Sequence, residues 1–231
     1  MHRWLCFLLS IAMLLAWPAA RFEAQAPADT AQNAVSYVDV MPSARAAMVA
    51  ALKQYRDASR KDDGYVRFEL LEQLGRPGRF AVVETWRDQK AFDTHAAAAH
   101  VKQFRDALQP IRLSDYDQRP YKTLNAASLP GARTDQAILV VAHVDTVGGP
   151  QADAPGLLTR LAEASRKEQG CLRFDVLQGA TRANHFTVFA IWQNQKALDA
   201  HDAALHTKQY RDVLQPVSGS PLDERVYKAV E

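Results

Sequence analysis

The second half of this chain repeats the first half. Shifting the sequence by 106 positions aligns HAAAAHVKQFRDALQP at residues 95–110 with HDAALHTKQYRDVLQP at 201–216, without a gap. From Tyr55 to Leu124, about 32 of about 70 positions are identical to their partners in the other half. A duplication of this extent means that one fold must serve both halves of the chain.

The period decides what kind of repeat this is. A shift of 106 residues is longer than the roughly 20–50 residues of a solenoid unit, so each copy has the size of a domain. We therefore predict a first repeat at residues 35–124 and a second repeat at 137–231. The Ala- and Pro-containing segment at 125–136 has the composition of a linker between them.

Each repeat has the hydrophobic pattern of strand, helix, strand, strand, helix, strand. In the first repeat the strands are predicted at residues 35–40, 65–73, 79–86 and 117–124. Residues 21–34 are expected to form an unstructured lead-in. The second helix is expected to break near residues 96–100. Pro120 suggests an edge position for the last strand, because proline cannot complete a hydrogen-bonded ladder.

This βαββαβ order predicts an α+β fold built from two ferredoxin-like repeats. In such a unit the helices cover one face of the antiparallel sheet and leave the other face bare. Two units in one chain can cover both bare faces at once. We therefore expect the two sheets to pack face to face and to close a barrel within the chain.

The N-terminus has the pattern of an export signal. A short basic head precedes an apolar run of about 14 residues, which is below the roughly 20 needed to span a bilayer. We predict a signal peptide at residues 1–26 and an exported protein, periplasmic or secreted, without stable membrane insertion after processing; an uncleaved anchor is the alternative. A net charge of +2 without a basic cluster argues against a nucleic-acid partner.

Three segments carry a resemblance to a known family. Glu84-Thr85-Trp86, DQKAFDTHAAAAH at 88–100 and QFRDALQP at 103–110 resemble the antibiotic biosynthesis monooxygenase family, which includes small quinol monooxygenases. The resemblance extends over both repeats. It implies a dimeric α+β barrel, which family members usually build by homodimerisation and which one chain would build here; a further homo-oligomer is left open.

The resemblance also implies a function. Family members that oxidise quinols or other polyphenolic aromatics with O2 need no cofactor, because the bound substrate itself reduces oxygen. The expected partners are therefore a small aromatic substrate and O2, and the expected cofactor is none. The alternative is a non-enzymatic exported protein that holds a small aromatic ligand in the same pocket.

The catalytic candidates lie in the first repeat. Glu84 and Trp86 are two residues apart on a strand, so both side chains project from the same sheet face. The second repeat keeps the tryptophan, as Trp192, but has Ala190 in place of the glutamate. We therefore expect Glu84, Trp86 and His95 to be catalytic, and both tryptophans to be buried in equivalent places. The structural alternatives are a core tryptophan and a glutamate at the sheet rim.

The substrate-binding candidates are aromatic or imidazole side chains near that face. Histidines recur at equivalent positions on the apolar helix stripes of both repeats. We expect the aromatic ligand to contact His100, Phe104, Trp192, His201 and His206. The alternative for each histidine is a half-buried ring hydrogen-bonded to a neighbouring turn.

A metal site is not expected. On a continuous helix, two residues five positions apart point about 140° away from each other, which separates His95 from His100. A helix break could bring them together, but no Asp, Glu or Cys is an obvious third ligand. We therefore predict that metal ions have no role in the site.

Overall fold

A computed structural model describes residues 30–127, 133–147 and 153–230. The predicted signal peptide at residues 1–26 lies outside these residues, as does part of the predicted linker at 125–136. Export therefore stays a prediction. Within the described ranges, no helix is long and apolar enough to cross a membrane.

Both repeats contain the same series of strands and helices. The first repeat consists of β1 (Gln32–Asp39), α1 (Arg45–Ser59), β2 (Tyr65–Gln73), β3 (Arg79–Trp86), α2 (Gln89–Ala96), α3 (Ala99–Leu108) and β4 (Asp117–Asn125). The second repeat consists of β5 (Ile138–Asp145), α4 (Ala154–Ser165), β6 (Cys171–Gly179), β7 (His185–Trp192), α5 (Gln195–Ala203), α6 (Leu205–Leu214) and β8 (Asp223–Ala229). The predicted helix break is confirmed, because α2 and α3 are separate helices.

The eight strands form one closed antiparallel barrel. Their order around it is β1-β3-β2-β8-β5-β7-β6-β4. Two seams join the repeats: β2 pairs with β8, and β4 pairs with β6. The predicted α+β fold, in which two ferredoxin-like repeats close an intrachain barrel, is confirmed.

Alternation along the strands separates an inner core from two outer cores. In β3, Ala81 and Val83 belong to the inner cluster, whereas Phe80 and Val82 pack under the helices of the first repeat. The indoles that end β3 and β7 are 0% and 1% exposed, which confirms the predicted burial of both tryptophans. Burying about 150–250 Å² of each indole is worth roughly 4–6 kcal/mol.

Two residues fix the start of α2 and its packing against the turn between α1 and β2. Gly64 has a φ of 79°, and a Cβ built there would lie 2.4 Å from the Ala91 side chain. Glycine is therefore required both for the backbone angle and for the close approach. Asp88 then caps α2, since its carboxylate accepts a hydrogen bond of 2.8 Å from the backbone N–H of Ala91.

Two local predictions are wrong. Strand β1 begins at Gln32 rather than at residue 35, so residues 32–34 of the predicted lead-in at 21–34 are strand, buried between β3 and β4; its residues 21–29 lie outside the described residues. Pro120 does not mark an edge, because β4 pairs with β1 on one side and with β6 on the other. The ladder to β6 starts one residue later, at Tyr121, so the missing proline N–H falls where that ladder has not begun.

The barrel interior contains a polar pair at its centre of symmetry. Tyr37 and His143 are equivalent positions of the two repeats, and their side chains hydrogen-bond each other over 2.5 Å. Two equivalent residues can touch only at the pseudo-twofold axis. Nε2 of His143 also faces a guanidinium nitrogen of Arg119 at 3.5 Å. Since a guanidinium only donates, Nε2 is the acceptor and His143 is neutral.

The neutral state of His143 should make the fold sensitive to acid. Burial, reinforced by Arg119, lowers the pKa of His143 to about 4. The unfolded chain, with a histidine pKa of about 6.5, takes up the proton first, so this stability is present above pH 6.5 and is lost as the pH falls towards 4. We expect a loss of about 3 kcal/mol over that window.

Urea unfolding at several pH values, with and without His143→Gln, measures this contribution. The glutamine keeps an amide that can hydrogen-bond but does not titrate. Its unfolding free energy should therefore fall less steeply than that of the wild type between pH 6.5 and 4. Equal slopes for the two proteins would contradict the assignment.

Candidate functional site

The predicted catalytic residues of the first repeat do lie together, between the outer face of the sheet and the helices. The indole N–H of Trp86 donates to Glu84 Oε2 over 3.0 Å, and His95 Nε2 lies 3.5 Å from the same oxygen. The rings of Trp86 and His95 stack with their centroids 4.1 Å apart. All three side chains are buried, so no aromatic ligand fits between them in this conformation.

His95 bridges a carboxylate and a phenol. Its Nδ1 lies 2.7 Å from Asp62 Oδ2, and its Nε2 lies 2.9 Å from the hydroxyl of Tyr55. A carboxylate only accepts hydrogen bonds, so Nδ1 carries the proton of the neutral ring and Nε2 accepts from the Tyr55 O–H. In the first repeat, therefore, the side chain of Tyr55 occupies the position beside His95 Nε2 where a phenolic ligand would bind.

Burial sets the protonation of this cluster. It raises the pKa of Glu84 to about 7, although the hydrogen bonds from Trp86 and Gln118 act in the opposite direction. It also raises the pKa of Tyr55, and it lowers the pKa of His95 against the opposing effect of Asp62. Desolvation disfavours every charged form here, so the cluster favours uncharged groups.

The break between α2 and α3 brings a second histidine to the same carboxylate. His100 lies at the start of α3, its ring centroid is 5.4 Å from that of His95, and its Nε2 lies 3.1 Å from Asp62 Oδ2. The prediction that no Asp, Glu or Cys is an obvious third ligand for His95 and His100 is therefore wrong, because Asp62 lies beside both rings. Asp62 lies in the turn after α1, and no local sequence pattern predicts its contact with the two histidines.

The second repeat reproduces this arrangement. Nδ1 of His201 lies 2.7 Å from Glu168 Oε1, and Nε2 of His206 lies 3.0 Å from the same oxygen. The ring of His201 faces Trp192 at 4.6 Å. No described residue forms a hydrogen bond with Nε2 of His201, the atom that corresponds to the phenol-bound nitrogen of the first repeat.

Residue exchanges between the repeats leave Nε2 of His201 without the phenol that His95 has, and they leave a narrow cavity in the second repeat. Leu161 replaces Tyr55, Ala190 replaces Glu84, and Leu222 replaces Tyr116, so the space filled in the first repeat by two phenols and a carboxylate is partly open. The cavity walls include Phe174, Trp192, His201, Thr207, Tyr210 and Glu224. A surface groove along residues 211–222 lies next to the cavity and shares the lining residues Arg211 and Leu222 with it.

Glu224 is a candidate that was not predicted from the sequence. The second repeat was expected to lack the carboxylate of Glu84, but Glu224 of β8 lines the cavity and provides one from a different strand. Burial, followed by the charge of Asp202, raises the pKa of Glu224. The available signal was a paired exchange between the repeats: Glu84 becomes Ala190 while Gln118, which hydrogen-bonds Glu84, becomes Glu224.

The predicted substrate-binding residues are divided among three places. Trp192 and His201 line the cavity of the second repeat. His100 and Phe104 line an outer cleft between α1 and α3, where Phe104 stacks on Tyr55 at 4.3 Å. His206 is the third place: its Nε2 lies 3.0 Å from Glu168 Oε1, the oxygen that also contacts His201. As substrate-binding residues, all five stay predictions.

Comparison with known proteins identifies the family and the fold. The family model described as antibiotic biosynthesis monooxygenase matches residues 33–107 and 137–213. "Putative monooxygenase YcnE" of Bacillus subtilis (strain 168) is 28% identical over 69 residues, which cover 30% of this chain and 73% of that protein.

Solved structures extend the similarity over most of the chain. A "putative monooxygenase" of Fusobacterium nucleatum superposes with a TM-score of 0.78 at 14% identity, covering 87% of this chain and 93% of that one. An "anthrone oxidase-like protein" superposes with a TM-score of 0.68 at 10% identity, covering 88% and 92%. At such identities these structures share the fold. The family model covers both repeats, and the chain belongs to the antibiotic biosynthesis monooxygenase family.

Proposed function

We propose that this protein is a monooxygenase that oxidises a quinol or another polyphenolic aromatic with O2 in the cavity of the second repeat. The observation that carries the proposal is the contrast between the repeats. In the first, the hydroxyl of Tyr55 lies 2.9 Å from His95 Nε2. In the second, leucine replaces that tyrosine, and the equivalent nitrogen of His201 is left for the phenol of a substrate.

The side chains around that place have the properties that the reaction needs. Glu168 accepts from Nδ1–H of His201, which leaves Nε2 as the acceptor of a phenolic proton. Trp192 forms a flat wall beside the ring, and Glu224 is a second polar group for a second hydroxyl. The rest of the lining is mostly apolar, which excludes water from a reactive intermediate.

The substrate supplies the electrons in this scheme. A deprotonated quinol is electron-rich and reduces O2 directly. One oxygen atom then enters the ring, the other leaves as water, and a hydroxyquinone is the product. The protein positions the ring and accepts the proton, so no added cofactor is required.

Catalysis by the first repeat is the rival assignment. It rests on Glu84, Trp86 and His95, which the sequence singled out. These side chains are buried, and Tyr55 already engages the histidine, so a substrate would have to displace a phenol held by the fold. In the second repeat a cavity lies beside the equivalent histidine, and no described side chain forms a hydrogen bond with its Nε2.

Oxygen consumption by the purified protein with a panel of hydroquinones tests the proposed function. We expect turnover with free quinols and none with their dimethyl ethers, which have no phenolic proton. Incorporation of one labelled atom from ¹⁸O₂ into the product distinguishes monooxygenation from simple oxidation to a quinone. Tight binding of quinols without oxygen uptake would instead favour the aromatic-binding protein.

A further inference from the structure

We propose that each repeat contains a binding site for a divalent transition-metal ion, formed by one carboxylate and two imidazoles. The ligands are Asp62, His95 and His100 in the first repeat, and Glu168, His201 and His206 in the second. The proposed oxidation uses no metal, so these sites go beyond the proposed function.

The three donor atoms of each site already converge. In both repeats they lie within 4.8 Å of one another. The carboxylate oxygen is 2.7 and 3.1 Å from the two imidazole nitrogens in the first repeat, and 2.7 and 3.0 Å in the second. Ligands on an ion with bonds of about 2.0–2.1 Å are about 3.0–3.4 Å apart, so small side-chain shifts would admit one.

The contact of His100 with the carboxylate is a poor hydrogen bond. Nε2 of His100 is buried, yet it has no partner in hydrogen-bond geometry, although Asp62 Oδ2 is only 3.1 Å away. Proximity without alignment is what two ligands of one ion show, because each points its lone pair at the ion rather than at the other. A cation would satisfy this orphaned nitrogen.

Comparison of the repeats gives independent support. About 32 of about 70 positions are identical between them, and the neighbouring residues Tyr55 and Glu84 have become Leu161 and Ala190. Both histidines are retained, and Asp62 has changed only to Glu168, which keeps the carboxylate. The break between the helices that brings the histidines together is present in both repeats.

The donor set indicates the class of ion. Two imidazoles and one carboxylate suit Zn²⁺, Fe²⁺ and similar first-row ions, and three protein ligands leave at least one position for water. Ions can enter from solvent. The carboxylates are 22% and 17% exposed, and the outer histidines, His100 and His206, are 20% and 30% exposed.

Metal binding has a consequence for the site of the second repeat, which rests on the proposed function. An ion on Nδ1 of His201 displaces the proton that Glu168 otherwise accepts. The neutral ring must then carry its proton on Nε2, where it can donate to a phenol but not take its proton. A bound ion should therefore inhibit quinol oxidation reversibly.

Calorimetric titration of the EDTA-treated full chain with Zn²⁺, and the visible absorption of bound Co²⁺, test the sites directly. We expect two ions per chain. His100→Ala and His206→Ala should each remove one ion, and the double variant should remove both. Asp63→Asn is the matched control, because this neighbouring carboxylate is exposed and pairs with Arg87; it should keep both ions.

Two results would overturn the sites: no uptake by the wild type, or two ions still bound by the double variant. If the histidine variants fail to fold, as judged by circular dichroism, Asp62→Asn and Glu168→Gln replace them, since they keep side-chain volume and lose only charge. Activity is assayed separately. Ions that bind without inhibiting would leave the metal sites standing and count against His201 as the proton acceptor.

Discussion

Replacing His201 with alanine should slow quinol oxidation by about 10²–10⁴-fold, the usual effect of losing a positioned acid–base group. Among the described residues on the cavity wall, this imidazole pairs with a half-buried carboxylate through one nitrogen and has no hydrogen bond at the other. The measurement is the rate of oxygen consumption at saturating quinol, compared with wild type, with circular dichroism to verify the fold.

His95→Ala is the matched control for this prediction. It removes the equivalent histidine, with an equivalent carboxylate contact, from the repeat in which Tyr55 occupies the place of a substrate. Its rate should stay close to that of the wild type. If His95→Ala slows the reaction and His201→Ala does not, the residues picked out from the sequence, Glu84, Trp86 and His95, form the active site after all.

Leu161→Tyr should abolish oxidation by giving the second repeat a phenol of its own. Tyr55 lies at the equivalent position and hydrogen-bonds His95, so the new hydroxyl should reach His201 in the same way. A group held in place competes at an effective concentration far above that of any dissolved quinol, and we expect kcat/KM to fall by about 100-fold or more.

Leu161→Met controls for the change of side chain, because it conserves volume and costs less than about 1.5 kcal/mol. It should retain activity and substrate affinity. Titration of quinol binding by tryptophan fluorescence checks that the tyrosine variant loses the ligand rather than only the chemistry. A tyrosine variant with wild-type kinetics would mean that the substrate does not use this place.

Most of the fold follows from the sequence because its signals are local. The bounds of strands β2 and β3 match the prediction. Closure of the barrel follows from the repeat, since two bare sheet faces in one chain cover each other. The errors come from partners distant in sequence: residues 32–34 become strand because β3 and β4 flank them, and Pro120 is tolerated because β6 starts pairing one residue later.

The site was less predictable, for a similar reason. Glu84, Trp86 and His95 could be predicted to lie together because the first two are on β3 and His95 is on α2, the helix that follows it. Asp62 is 33 residues from His95 in sequence, and its approach depends on how α1 packs. The cavity depends on small differences in side-chain volume, such as Leu161 in place of the equivalent Tyr55. Such differences can be interpreted only when the packing around them is known.

Fusion of the two halves removes a constraint that every symmetric pair of chains must obey. On the axis of a homodimer a side chain meets its own duplicate, so tyrosine can only face tyrosine and histidine can only face histidine. The pair of Tyr37 and His143 breaks that rule, and its hydrogen bond needs two unlike partners. The halves are therefore complementary rather than interchangeable. Because each half packs against a different partner, a side chain can change in one repeat without the same change in the other, as Leu161 and Tyr55 show.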